Sequence, residues 1–371
     1  MTAFKPEDRS PASQRGFAAF APADAGAVRL LPLGLLSGLR AERAVEEGLA
    51  LPLASGPFAF SLVEAFARAA DGSVISAIGP VAEARCWEGE LRKLSTPRAP
   101  WAGFALDKPL VMGVINVTPD SFSDGGDHLA SDRAIASGRA MLEQGADIVD
   151  VGGESTRPGA DPVSAEEEMA RVLPVIRALA EAGAAVSIDT RHAAIMEAAL
   201  AAGARILNDI TALTGDPGSL AVAARTKAPL VLMHMQGEPR TMQKEPHYID
   251  PALDVLDYLE ARIQACEAAG IDRASIVVDP GIGFGKKQLS HNLPLLSRLG
   301  LLHGTGCAIL LGVSRKSFIG RLGHAPEPKD RMPGSVSAGL TGLDRGVQIL
   351  RVHDVAETRQ AVDVWRAIVV S

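Results

Sequence analysis

A chain of 371 residues with 47% hydrophobic content can bury one large core, or one large and one small. A net charge of −7 without a Lys/Arg-rich run excludes the usual electrostatics of a nucleic-acid partner. No apolar run approaches the roughly 20 residues of a membrane helix. The first eleven residues are too polar for a secretory signal. Cys86, Cys266 and Cys307 are scattered, without a Cys-x-x-Cys pair. That pattern disfavours a disulfide framework or zinc site and suits a reducing cytosol. A soluble, cytoplasmic protein is expected.

In chain order, residues 1–24 are rich in Pro, Ala and Ser and read as flexible. Residues 27–90 mix β-like runs at 28–31 and 74–78 with a helix predicted around 62–70. The N-terminal extension, 1–100, is thus at most a small α/β appendage without a catalytic signature. Residues 101–106, beside Asp107 and Lys108, are expected to form a hairpin plugging the bottom of a barrel.

From residue 109 one theme repeats: a β-rich run, a polar or glycine-rich loop, then a helical segment. The runs are 109–118, 146–153, 185–190, 206–211, 229–235, 275–281, 308–314 and 347–354. Between them, Ser131 is expected to cap a helix ending at Gly145, and Ser164 with Glu167 fits a capping box before another. Eight strand–helix units predict an α/β fold, a (β/α)₈ TIM barrel over residues 101–371. An open doubly wound sheet is the alternative, but it rarely uses eight such units.

Strands of a parallel barrel are buried on both faces and should be apolar. These are, except toward their C-terminal ends, which offer Asn116, Asp150, Asp189, Asn208 with Asp209, His234, Asp279, Ser314, and Arg351 with His353. Singly, each has a bland explanation: an Asp or Asn there commonly caps the next helix, and His234 reads as a packing residue. Together they mark the end at which barrel enzymes do chemistry. The loops after the first two strands, 118–126 and 152–160, exceed the roughly 2–6 residues typical of such turns and read as lids carrying Phe122 and Arg157. The run Gly281-Ile-Gly-Phe-Gly-Lys286 misses phosphate-loop spacing, since Lys287 stands where a hydroxyl is needed.

Met112-Gly-Val-Ile-Asn-Val-Thr-Pro-Asp-Ser-Phe-Ser-Asp-Gly-Gly126 and Asp150-Val-Gly-Gly-Glu-Ser-Thr-Arg-Pro-Gly159 resemble the dihydropteroate synthase family. So do Ser187-Ile-Asp-Thr190, Asn208-Asp209-Ile210, Met233-His-Met-Gln-Gly237, Asp279-Pro-Gly-Ile-Gly-Phe-Gly-Lys286, Ser314-Arg-Lys-Ser317 and Arg351-Val-His-Asp354. The match touches all eight strands in order and leaves residues 1–100 outside it.

The resemblance implies a reaction: 4-aminobenzoate joins (7,8-dihydropterin-6-yl)methyl diphosphate, giving 7,8-dihydropteroate and pyrophosphate in folate biosynthesis. It implies that Asp279 accepts paired N–H donors of the pterin edge, with Asn208, Asp189 and Lys316 on the other ring atoms and Thr156 on the same substrate. Arg351 lies against the ring, which Lys could not reproduce. Asn116, Arg351 and His353 hold the diphosphate, and Asn116 reaches a Mg²⁺ ion. Phe122, Arg157, Pro158 and Ser317, with Thr156, border the aminobenzoate. The aryl amine is already neutral, so departure of the diphosphate is the harder step and a dissociative displacement is expected. Asp189, Lys316, Arg351, His353 and Asp150 form the catalytic set, Asp150 by organising the first two loops.

A homodimer and sulfonamide sensitivity are further implications. One extra residue near Lys287 and Gln288 departs from the family pattern and bears only on the shape of that loop. A methylfolate-binding module of a methyltransferase system would share the barrel and the pterin-edge Asp/Asn pair. It should lack Ser-Arg-Lys-Ser and Thr-Arg-Pro-Gly, both present here. A catalytically silent paralogue is disfavoured by intact residues at every matched position.

Overall fold

Contacts along the chain separate Met1–Pro97, joined by Val369–Ser371, from Arg98–Ile368. The computed structural model describes residues 12–15, 17, 20, 28–117, 126–154, 163–238 and 240–371.

The first unit is a sheet with two helices: β1 Ala12–Arg15, β2 Arg29–Ser37, α1 Gly38–Glu46, β3 Leu51–Pro52, β4 Phe58–Arg68, β5 Val74–Pro80 and α2 Glu88–Ser95. The strand order is β1-β5-β4-β2, with β3 also on β4. Two expectations fail here. The helix predicted around 62–70 is the second half of β4 and its exit. Its Leu, Glu, Ala and Arg favour helix locally, but antiparallel partners on both sides satisfy its backbone and bury Val63, Ala65 and Phe66. Ala12–Arg15, inside the stretch read as flexible, pairs in parallel with β5. Most of the remainder of residues 1–24 lies outside the described residues.

The second unit is the expected α/β barrel. Its strands are β6 Leu110–Asn116, β7 Ile148–Gly152, β8 Val186–Asp189, β9 Ile206–Asp209, β10 Leu230–Met233, β11 Ile276–Asp279, β12 Ala308–Leu311 and β13 Ile349–Val352. All eight pair in parallel with their sequence neighbours, and β13 returns to β6 to close the ring. Closure abolishes both edges, and only a nearly all-apolar strand set tolerates it.

The helices that follow the strands are α3 Gly126–Glu143, α4 Ala165–Glu181, α5 Ala193–Ala201, α6 Ser219–Thr226, α7 Pro251–Ala268, α8 Asn292–Ser297, α9 Ser317–Leu322, α10 Met332–Leu343 and α11 Val355–Val369. Ser164 caps α4 through the expected box, its Oγ accepting from Glu167 N at 3.2 Å. Ser131 does not cap α3, which begins five residues earlier and takes Ser131 into its interior. Mid-helix hydroxyls are tolerated when the flanking turns are already hydrogen-bonded.

The N-terminal mouth is closed as predicted. Trp101 and Phe104 form an antiparallel bridge, and Trp101, 1% exposed, packs with Leu106 against Met112, Ile148, Ile206, Val277, Leu310 and Ile349. Its indole N–H donates to Ser275 O at 2.9 Å, so the polar edge of the plug is satisfied. Arg98 begins the unit by donating to the carbonyls of Cys307 and His303, both at 3.1 Å. Among the described residues, that mouth is thus filled by side chains.

Candidate active site

A largely buried guanidinium needs carboxylates around it, and Arg351 on β13 has two. Its Nε donates to Asp150 Oδ2 on β7 and its Nη2 to Asp189 Oδ2 at the end of β8, each at 2.7 Å. Asn208 on β9 donates to the same Asp150 oxygen at 3.0 Å. Four strands thus present one polar layer across the barrel. Burial acts against the Arg351 charge, but Asp150 and Asp189 outweigh it and hold its pKa above the usual value. Burial pushes the Asp189 carboxyl up, Arg351 opposing and Asp150 adding to the rise. An ion pair of this kind is spent on orientation: the guanidinium plane is fixed at three nitrogen-to-oxygen contacts before any ligand arrives.

Beside it stands a second cluster. Asp279 ends β11, 6% exposed, with Oδ1 accepting from Gly281 N at 2.7 Å. Burial raises its pKa, while Lys316 and Arg351 pull the other way. Lys316, the cap residue of α9, sets its Nζ 4.2 Å from the Phe284 ring centre. Burial lowers the ammonium to about 8, Asp279 opposing. His353 follows β13, its backbone N–H donating to Ser314 Oγ at 3.1 Å and Nδ1 lying 3.0 Å from the same oxygen. Burial first, then the Arg351 charge, lowers the imidazole to about 4, so it is neutral at pH 7. Arg315, between Ser314 and Lys316, pairs with Asp354 beside His353 and locks the two strand ends together.

The predicted site residues therefore divide. Asp150, Asp189, Asn208 and Arg351 share direct hydrogen bonds. Asp279, Lys316 and His353 act on them or on one another electrostatically. Asn116, half-buried, ends β6, and Ser317, exposed, opens α9. Phe122, Thr156, Arg157 and Pro158 lie outside the described residues, as do most of both expected lids. Asp150 binds Asn208 and Arg351, and its Oδ1 has no partner among the described residues. The bland reading holds for Asp209, whose carboxylate is consumed by Thr211 and Leu213 N–H groups, and for His234, packed edge-on to Tyr258.

Sequence reasoning missed Phe284 and Lys286. The signal was available in Gly281-Ile-Gly-Phe-Gly-Lys286: dense glycines after a strand end mark backbone lying against backbone, which a lysine can tie together. It also missed Glu154, Glu168 and His192, whose ligand-type atoms lie within 4.8 Å of one another. Arg191 already takes both Glu154 oxygens, at 3.1 and 3.0 Å. Two clefts sit elsewhere: one of about 440 Å³ in the first unit, lined by Arg85, Glu88 and Arg92, and one of about 330 Å³ at the closed end of the barrel. No described helix is long and apolar enough to cross a membrane.

The family model for pterin binding enzymes matches residues 112–353, from β6 to His353. The chain belongs to the pterin-binding enzyme family. It is 49% identical over 267 residues to the dihydropteroate synthase of Neisseria meningitidis serogroup B, covering 71% of this chain and 94% of that one. Against the Escherichia coli K12 dihydropteroate synthase it is 47% identical over 263 residues, 71% and 92% of the two chains. The solved dihydropteroate synthase of Xanthomonas albilineans with 4-aminobenzoic acid is 47% identical, with a TM-score of 0.68 over 72% of this chain and 96% of that one. The Burkholderia cenocepacia enzyme complexed with 7,8-dihydropteroate is 44% identical, with a TM-score of 0.66 over 71% and 93%. The pterin-binding match starts beyond the first unit.

Proposed function

We propose that this protein is a dihydropteroate synthase, condensing 4-aminobenzoate with (7,8-dihydropterin-6-yl)methyl diphosphate to give 7,8-dihydropteroate and pyrophosphate. The observation that carries the reading is the meeting of Asp150, Asp189, Asn208 and Arg351 in one layer beside Asp279 and Lys316. A pterin has an edge of adjacent N–H donors, a flat face and ring acceptors. Those need an ionised carboxylate, a planar cation and an ammonium.

In this reading Asp279 accepts the ring N–H pair, and Lys316, near its depressed pKa, donates to a ring acceptor. Asn208 and Asp189 take the remaining polar edge, with Thr156 on the same substrate. Arg351 lies flat on the ring because Asp150 and Asp189 hold it there. As the C–O bond to the diphosphate breaks, positive charge builds on the pterin, and Asp189 stabilises it by proximity. The neutral amine of 4-aminobenzoate, bordered by Phe122, Arg157, Pro158 and Ser317, forms the new C–N bond and gives its proton to solvent. His353 and Arg351 hold the departing diphosphate; its negative charge would draw the imidazole pKa upward.

A Mg²⁺ ion is the implied cofactor, and the donor set fits it. A hard cation keeps one or two protein oxygens and takes the rest from phosphate and water, which the Asn116 amide oxygen and a diphosphate would provide. When bound it supplies charge neutralisation at the diphosphate. The reading extends to a cytoplasmic homodimer, consistent with free Cys86, Cys266 and Cys307 and resting on the family resemblance. A pyrophosphate-release assay tests the reaction. Release should require both substrates. Pterin diphosphate that binds without 4-aminobenzoate-dependent release would indicate a binding module instead.

A further inference from the structure

Lys286 is 1% exposed, has no carboxylate within hydrogen-bond distance among the described residues, and has no part in the reaction outlined above. Its Nζ donates to His234 Nδ1 at 2.8 Å, to Gly281 O at 2.9 Å and to Phe284 O at 3.1 Å. With His234 O also 3.4 Å away, three ammonium protons are shared among four neutral acceptors, and the full donor capacity of the group is used. For Nδ1 to accept, His234 must be the neutral tautomer protonated at Nε2; burial and then the adjacent Lys286 charge hold its pKa well below the usual value. Burial draws the Lys286 ammonium down to about 7, with Asp279 opposing.

The ammonium closes the loop after β11 onto the segment after β10. Gly281, at φ +63°, approaches so closely that a Cβ would sit 1.9 Å from His234 O, and one on Gly285 would sit 2.3 Å from Gln236 O. Tyr248 Oη donates to Gly285 O at 2.7 Å and clamps the far end. The same loop carries two parts of the pterin site. Gly281 N–H orients the Asp279 carboxylate, and the Phe284 ring lies against Lys316.

We propose that Lys286 is a positioning residue for the pterin substrate: by tying the 281–285 loop to His234, it fixes the Asp279 carboxylate and the Phe284–Lys316 contact. The inference rests on the pterin reading of the site. A group that only supports the fold would, when lost, lower stability or affect both substrates alike. A group that orients one carboxylate affects one substrate.

Steady-state kinetics on the full chain separate these. Lys286→Met keeps length and removes the three donors. The pterin diphosphate KM should rise about ten- to a hundredfold, the scale of a misplaced charge-assisted contact, while the 4-aminobenzoate KM stays within about twofold. Inactive wild-type protein would overturn the synthase reading and this inference with it. Active wild type with an unchanged pterin KM in Lys286→Met, or an equal rise in both KM values, would overturn the inference alone. If Lys286→Met does not fold, Tyr248→Phe carries the test by freeing Gly285 O. It should raise the pterin KM about threefold or more, and unchanged kinetics would refute the role.

Discussion

Arg351 is held by two carboxylates yet remains a fifth exposed, so one edge of the guanidinium is structural and its face is available to a ligand. Lys would keep the charge but could not reach Asp150 and Asp189 together or present a plane. Arg351→Lys should therefore lower kcat/KM by about a hundredfold, and activity within a few fold of wild type would show that the planar contact is irrelevant. Asp279→Ala leaves the ring donors unpaired and should cost about a hundredfold or more in kcat/KM, read from the same kinetics. Glu168 carries a prediction of another kind. Its side chain is fully buried, 4.0 Å from His192, and burial lifts its pKa to about 7, Thr190 opposing and Glu154 adding. A carboxyl raised in the folded state favours folding when protonated. That contribution is complete below about pH 4.5 and is lost as the pH rises through about 7. Between pH 4.5 and 8, wild type should lose roughly 1–3 kcal/mol that Glu168→Gln does not lose. Urea denaturation at both pH values measures it; identical pH dependence in the two proteins would reject it.

At the scale of elements, the barrel strands were legible because burial on both faces leaves an apolar run ended by a polar residue. Each of the eight was found within a few residues of its place. The polar ends of β8, β9, β11 and β13 were legible for the same reason: a charged group breaking such a run needs either a partner or a job. Helix starts were read less well. A capping box announces α4, whereas Ser131 offered a false cap inside α3. β4 was misread because partners distant in sequence decide its backbone, and local propensity cannot register them. Lys286 and Phe284 were missed as site residues because the glycine-dense run signals close backbone packing but not which segment the loop packs against. Gly281→Ala tests that loop directly. With positive φ and His234 O 1.9 Å from the new methyl, it should cost about 2 kcal/mol or more in unfolding free energy, and a wild-type value would mean the loop can move away freely.

For the whole molecule, composition and charge argued against a nucleic-acid partner without choosing a substrate. The repeated strand–helix theme gave the architecture, and the motifs at its strand ends gave the chemistry. The first unit stayed opaque because its sequence carries no catalytic signature. The Neisseria meningitidis and Escherichia coli relatives are matched over more than nine-tenths of their length by about 71% of this chain. Protein beginning at residue 98 should then keep synthase activity within about threefold, since a site built on barrel strands needs only the barrel. Loss of soluble, active protein would instead assign the first unit a part in forming the site.

The most direct test is a crystal structure of the full chain with 7,8-dihydropteroate. The pterin edge should lie on the Asp279 carboxylate, with Arg351 flat against the ring and Lys316 on a ring acceptor. Product bound anywhere that leaves Asp279 and Arg351 without contact to the ring would contradict that placement.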